Sequence, residues 1–368
     1  MGHASARQSA GGGRSARGEG PGGHAGSQRS RRSSRPTMRD IAAAVGTSAM
    51  TVSRALNGEP GVSRATAERV FAAAAELGFR RNDLARSLRR GGGTGTVGLV
   101  LERSATRFYS SLITGVQDVA VRHDALVITA SSHSAEREEA ILLALSRSRV
   151  DGLLIVPVGA DHSFLGPEHA AGLPLVFVDR QANGIAVDCV VADDHGGGRA
   201  ATAHLLAHGH RDIAVIGAAA TADTVAGRVA GYHAAFADAG ITPRPDLEAL
   251  EDYDEATAER AVRALLAREP APTALFTLNS VFTIAALRAL TALGLRDRVA
   301  VIGFDDFDTA TLLDPPVTVI HHDVAAVGRA AAELLFQRIS GSTAAPQHVE
   351  LATSLVARGS GEIPGPWA

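Results

Sequence analysis

From residue 97 onward the chain alternates short β-branched apolar runs with amphipathic helical stretches, and few folds accommodate that rhythm. VGLVL (97–101) leads into a helical pattern from about Tyr109 to His123, and ALVITA, EREEAILLALSRS and DGLLIVP repeat the step. PLVFVD and CVVAD precede a helix through RAATAHLLAHG, followed by DIAVIG. GRVAGYHAAFADAG, LEALE, EATAERAVRALLA, ALFTLN, TIAALRALTALG, VAVIGFDD, TVIHHD and AAVGRAAAELLFQRIS continue the series, and HVELATSLVAR reads as a terminal strand. Strands separated by helices pair in parallel, with the helices covering both faces of the sheet. The units are too many for one ordinary sheet. The pattern therefore predicts an α/β fold of two doubly wound parallel-sheet subdomains. Their cleft should lie at the carboxyl ends of the strands, where open sheets of this kind bind ligands.

Upstream the texture differs. In MRDIAAAVGTSAMTVSRALNG (38–58), Ile41, Ala42 and Val45 recur at helical spacing, Gly46 suits a helix end, and Ser48 is placed to cap a second helix. Val52 and Leu56 give that second helix an inner face, leaving Ala49, Met50, Ser53, Arg54 and Asn57 to point elsewhere. A third helix from about Arg64 to Leu77 would close a small core through Val70, Phe71, Ala74 and Leu77. Two helices joined by a tight turn are either an ordinary αα-hairpin or a helix-turn-helix whose second helix can enter a major groove.

Charge separates these readings. Residues 1–90 carry 16 Arg against 6 acidic residues, while residues 91–368 carry 20 Arg against 33 acidic residues. One end suits a polyanion, which points to nucleic acid and away from a membrane surface. Every basic residue is Arg, a bias better explained by codon composition than by function. Cys189 lies alone in an apolar run and reads as a small core residue of a reducing compartment. No apolar run reaches the roughly 18 residues of a membrane span, and the start has no apolar signal core, so a cytoplasmic protein is expected. The expected divisions are a disordered Arg/Gly/Ser-rich tail (1–36), a helix-turn-helix domain (37–81), a hinge helix and linker around GGGTG (82–96), and a two-subdomain core (97–368). The tail is an inert extension or an arm that clings to DNA.

TMRDIAAAVGTSAMTVSRALNG, VSRATAERVFAAAAELGFRRNDLARSL, HLLAHGHRDIAVIG, GRVAGYHAAF, VAVIGFDD and VGRAAAELL occur in the order and spacing of the LacI/GalR family of bacterial repressors, and residues 37–360 resemble it throughout. The resemblance implies a regulator, a repressor, that binds double-stranded operator DNA. Arg54 would read a base edge, most simply guanine. Ser48, Ala49 and Met50 would begin the reading helix; Ala49 and Met50 stand at specificity positions where polar side chains are frequent, so readout there would use thymine methyls or shape. Thr51, Ser53 and Asn57 would bond phosphates. Asn82, Arg86 and Leu88 match the hinge, with Leu88 wedging between base pairs in the minor groove, unless it is a plain core leucine. Unstacking costs a few kcal/mol, so two hinges should act together in a homodimer or a tetramer.

The resemblance also implies a small effector, by default a sugar, bound between the subdomains. Phe108 and Tyr109 would wall its pocket, Arg228, Asn279 and Asp305 would bond its hydroxyls, and Tyr253 would stack on its ring. Each polar residue has a structural alternative: Asp305 could cap a turn, Arg228 could pair with a structural carboxylate, and Asn279 could cap the next helix. Ser280 and Glu102 depart from the family's usual residues.

No catalytic set, metal cluster or cofactor is expected. GTGTVG (93–98) precedes a strand, which is the wrong geometry for a pyrophosphate loop. HGGG (195–198) has no partner nucleophile elbow and reads as a flexible helix start. His208, His210, His321 and His322 lack metal-ligand spacing, and Asp193 and Asp194 read as helix-start acids. Two other classes compete. A solute-binding protein would need a secretion signal and no headpiece; an enzyme would need an activated nucleophile or a metal.

Overall fold

Thr37 opens the first described helix. In the computed structural model, which describes residues 36–79, 93–102, 106–219, 223–251 and 255–368, the Asp40 carboxylate accepts from the Thr37 backbone N–H and hydroxyl, both at 2.7 Å. Helix α1 (Met38–Val45) ends at Gly46, whose φ of 70° a side chain would strain. Ser48 caps α2 (Ala49–Asn57), its Oγ accepting from the Thr51 N–H at 3.0 Å, and Ser63 caps α3 (Arg64–Glu76) in the same way. Ile41, Val52 and Val70 are fully buried at the junction of the three helices, with Ala42, Val45, Ala55 and Ala74 around them. Arg69 donates to the Val45 carbonyl, one of the groups a helix end leaves unpaired. Phe71 and Leu77, predicted as core, are instead 53% and 39% exposed. The inward stripe of α3 is Ala67, Val70 and Ala74, and Phe71 falls one residue outside it.

The larger unit begins with β1 (Thr96–Leu101), α4 (Arg107–Arg122), β2 (Leu126–Ser131), α5 (Ala135–Arg147), β3 (Gly152–Ile155), α6 (Gly166–Ala170), β4 (Leu175–Val178) and β5 (Asp188–Ala192). The chain then crosses at Asp193 into a second lobe: α7 (Asp194–Ala207), β6 (Ile213–Gly217), α8 (Asp223–Asp238), β7 (Glu248–Leu250), α9 (Glu255–Leu266), β8 (Ala274–Thr277), α10 (Ser280–Leu293), β9 (Ala300–Phe304) and β10 (Thr318–His321). It returns at His322 and Asp323 with α11 (Val324–Ile339) and β11 (His348–Leu351), and crosses once more to β12 (Ser354–Val356). The sheet orders are β11-β5-β4-β3-β1-β2 and β12-β10-β9-β8-β6-β7. All pairs are parallel except β10 with β12. The stretch predicted as one terminal strand, HVELATSLVAR, is therefore two strands in two sheets. Its break lies where the Asp193 N–H reaches the Leu351 carbonyl at 2.8 Å and the Thr353 hydroxyl reaches the Asp193 carbonyl at 3.2 Å. Cys189 is buried in the first lobe, its thiol pushed up to about 12 by burial.

Each lobe pairs two helices at glycines. A Cβ on Gly115 of α4 would lie 2.1 Å from the Ala325 carbonyl oxygen in the first turn of α11, and one on Gly198 of α7 would lie 2.2 Å from the Arg228 carbonyl oxygen on α8. The triple glycine 196–198 is thus a packing surface inside α7, contrary to the flexible start expected of it. Gly198→Ala is expected to cost roughly 1–3 kcal/mol as overpacking; equilibrium urea unfolding with no loss of stability would contradict the close contact.

The end of the chain docks on the second lobe. His210 is fully buried, with Nε2 2.8 Å from the Ile363 carbonyl and Nδ1 2.9 Å from the Thr273 hydroxyl. Burial holds its pKa below the ordinary value of 6.5. The unfolded chain therefore binds the proton more readily. The stability this group contributes is complete above about 6.5 and is lost as pH falls below it. The melting temperature should drop from about pH 7.5 to 5, and His210→Gln should flatten that slope; an unchanged slope would remove His210 as its source.

Candidate functional site

The strand ends of both lobes converge on a cleft. Arg228, on α8, is 5% exposed and lies with its guanidinium 3.6 Å from the centre of the Phe304 ring, a cation–π contact. Its Nε donates to Asp194 at 2.7 Å, its Nη1 to the Leu278 carbonyl at 2.5 Å, and Nη1 stands 4.0 Å from Asp305. Burial opposes the charge on Arg228, but Asp194, Asp305 and Asp179 outweigh it and keep the guanidinium protonated. The same burial pushes the Asp194 carboxyl up to about 7 despite the arginine beside it.

Asp305 follows β9 at a φ of 69°. Its Oδ1 lies 3.7 Å from Nδ1 of the buried His322, and both atoms are buried without a hydrogen-bond partner. Burial lowers the His322 pKa, so its ring is neutral. A cavity of about 170 Å³ opens here between the lobes, lined by Phe108, Ser111 and Val324 from one side and by Ser280, Asp305 and His322 from the other or from the crossing. At its rim Arg107 of α4 pairs with Asp308 of the second lobe. Behind the first-lobe wall, Arg180 donates to Glu102 at 2.6 Å and to the Pro157 carbonyl at 2.9 Å, and the Tyr109 hydroxyl meets Glu102 at 3.4 Å.

The six sequence-predicted effector residues fare differently. Phe108 and Asp305 line the cavity. Arg228 lies behind it, bound to the carboxylate that the structural alternative required. Tyr109 is buried and backs the wall through Glu102, so it does not line the cavity. Asn279 caps α10, its Oδ1 accepting from the Val281 and Phe282 N–H groups at 2.9 and 3.1 Å. Tyr253 lies outside the described residues. Sequence reasoning missed Asp194, Asp179, Arg180 and His322. Asp193 is the cap of α7, accepting from the Gly196 N–H at 2.6 Å, but Asp194 is the partner of Arg228, not merely a helix-start acid. The paired histidines after TVI carried the one usable signal, because they sit where a strand ends and the chain crosses lobes. Among the described residues no group of three or more His, Cys, Asp or Glu side chains could hold a metal.

In the headpiece, Ser48, Ala49, Met50 and Arg54 are exposed, while Thr51, Ser53 and Asn57 are half-buried on the same helix. Met50 is 69% exposed, unusual for so apolar a side chain. The Ser48 hydroxyl is engaged by Thr51, and the Asn57 amide donates to Glu59 at 3.0 Å. Asn82, Arg86 and Leu88 lie outside the described residues.

A helix-turn-helix unit carried by the same chain as a two-lobed, cleft-bearing core defines a ligand-responsive DNA-binding regulator. Residues 37–82 match the profile of "Bacterial regulatory proteins, lacI family", and residues 94–358 match that of "Periplasmic binding proteins and sugar binding domain of LacI family". The chain belongs to the LacI family of bacterial transcriptional regulators. It is 36% identical over 341 residues to the regulator CelR of Thermobifida fusca, covering 89% of this chain and 98% of that one. To the repressor PurR of Aliivibrio fischeri strain ES114 it is 32% identical over 330 residues, 88% of this chain and 98% of the other. Among solved structures, a CelR–cellobiose complex aligns with a TM-score of 0.66 at 33% identity, over 89% of this chain and all of that one. The lac repressor dimer bound to operator and the anti-inducer ONPF aligns with a TM-score of 0.78 at 26% identity, over 89% and 99%. The family is one of regulators, not enzymes, and no helix of the described residues is long and apolar enough to cross a membrane.

Proposed function

We propose that the protein is a cytoplasmic homodimeric repressor that grips a duplex operator through paired headpieces and responds to a small sugar held between the lobes of its core. The observation that carries the effector half is the cavity itself, where buried Asp305 and His322 atoms without partners sit beside Phe108 and the Arg228–Asp194 pair. The relative CelR is described in complex with cellobiose, which favours a sugar. The DNA half rests on the exposed Arg54 and Met50 of α2 and on the basic surplus of residues 1–90. Ser48, Ala49, Thr51, Ser53 and Asn57 would complete the protein face toward DNA, with Asn82, Arg86 and Leu88 as the hinge. The working divisions remain a tail to residue 36, a headpiece to 81, a hinge to 96 and the core beyond.

A second copy of the chain is the natural cover for β2. It is an edge strand of the first sheet, and Leu126 and Ile128 on it, with nearby Val121, are 72%, 46% and 73% exposed. An uncovered apolar edge invites another chain.

The effector can shift the repressor only as far as it binds one lobe arrangement better than the other. The test is operator binding by the purified full chain against a panel of sugars and nucleobases, repeated over a range of salt. A salt-dependent grip on duplex DNA that one sugar alters is the expected result. A monomer with no salt-sensitive affinity for any duplex would end the reading. A response to nucleobases alone would leave the regulator standing and replace its effector.

A further inference from the structure

GTGTVG (93–98) is no pyrophosphate loop, yet its backbone does wrap an anion, the carboxylate of Asp151. Asp151 stands one residue before β3, and its Oδ1 accepts from the Thr94 N–H at 2.5 Å. Its Oδ2 accepts from the N–H groups of Gly95 at 2.6 Å and Thr96 at 3.3 Å. Its own N–H donates to the Thr96 carbonyl at 2.7 Å. Successive amides converging on one anion make a backbone nest. The other side of the turn is tied as well: Gly95, at a φ of 66°, accepts through its carbonyl from the Leu126 N–H of β2 at 2.8 Å. The Thr94 hydroxyl is buried without a hydrogen-bond partner, so that residue is held by its backbone.

These bonds fix the point at which the core receives the chain from the headpiece. β1 lies between β3 and β2 in the sheet, so Asp151 and Leu126 grip its first residues from both neighbours. Gly93 is fitted to the clamp: a Cβ there would stand 2.5 Å from Asp151 Oδ2 and 2.7 Å from Oδ1. Residues 80–92 join the last described residue of the headpiece, Phe79, to Gly93. Releasing residues 93–96 would lengthen that tether by up to roughly 14 Å, at about 3.5 Å for each residue.

We propose that Asp151 is a positioning residue for DNA binding: its carboxylate pins the linker at residues 94–96 and so sets the length and exit of the tether from which each headpiece reaches the operator. This rests on the paired-headpiece reading above. Two tethered heads meet one duplex at an effective concentration that falls as the tether lengthens. A freed residue must also be reordered on the operator, and ordering one residue is worth about a factor of ten in the equilibrium. A non-specific duplex, which requires no fixed spacing of the heads, should be gripped as before. Charge alone predicts the opposite sign, because removing a carboxylate favours binding to a polyanion.

The test uses the full chain, a duplex that the unaltered protein selects from a randomised pool, and a scrambled duplex of the same composition. Asp151→Ala and Gly93→Ala should each bind the selected duplex about tenfold more weakly, and the scrambled one within about twofold of the unaltered protein. Both act on one clamp, so Gly93→Ala should add nothing once Asp151 is replaced by alanine. Should Asp151→Ala fail to fold, Gly93→Ala, at an exposed position, disturbs the clamp from the linker side and gives the same reading. A merely structural Asp151 would lower the melting temperature and leave the preference between duplexes unchanged, which overturns the proposal. Losses that are equal on both duplexes, or additive in the double variant, overturn it too. A protein that selects no duplex at all ends the paired-headpiece reading, and the role of the clamp falls with it.

Discussion

Arg228→Ala should lower the stability of the core by about 3–5 kcal/mol, the range for breaking a buried ion pair by removing one partner, and should abolish the response to effector. Arg228 is 5% exposed, and its loss strands Asp194 at one end and Asp305 at the other. The Leu278 carbonyl also loses a donor, and the face of Phe304 loses its cation. Arg228→Lys keeps the charge without the planar fork and should fall between the two. The remedy available to the alanine variant is protonation. Asp194 already titrates near 7 in the intact protein, above its ordinary 3.8, so its cost is complete above the folded value and is relieved as pH falls through it. Without Arg228 that value rises further. The variant should therefore recover part of its loss as pH falls from about 9 to 7, between its own raised value and that of the intact protein. Denaturant unfolding at both pH values decides the matter: a loss under about 1 kcal/mol would show that the pair is not buried as described.

The second large effect belongs to the headpiece. Arg54→Ala should abolish the preference for the operator over unrelated duplex. A bidentate arginine–base pair supplies about 1–3 kcal/mol of discrimination, and two subunits double it. The salt slope should change little, because a contact to a base edge neutralises no phosphate. Thr51→Ala and Ser53→Ala should do the reverse, weakening every duplex alike. Competition binding with operator and scrambled duplex separates the two patterns. An Arg54→Ala protein that still prefers the same operator would move base reading to other residues of α2, Met50 first among them.

The elements were legible because each obeys a local rule. Gly46 and Ser48 mark a helix end and a cap that need no tertiary partner, and the β-rich runs between helices could only be parallel strands. What escaped depends on contacts distant in sequence. Asp194 and Arg228 are 34 residues apart, and nothing local to DDHGGG distinguishes a carboxylate that caps from one that pairs. HVELATSLVAR alternates well enough for a single strand, and only the arrangement of the two sheets divides it. Phe71 looked like core because its neighbours Val70 and Ala74 are; the three-helix junction is simply too small to take a ring as well. Asn279 shows the opposite limit, since a strand-end amide that caps the next helix looks in sequence the same as one that faces a ligand.

The route of the chain also governs how the protein can be cut. The first lobe takes its outermost strand from residues 348–351 and one of its helices from 324–339, whereas the second lobe takes an edge strand from 354–356. Neither half is a continuous piece of the gene. A fragment stopped at residue 193 would lack both the strand and the helix that complete its sheet, and one begun at 194 would carry them with nothing to pack on. Expressing a lobe by itself would require a rearranged gene that splices residues 324–351 onto the end of the first half.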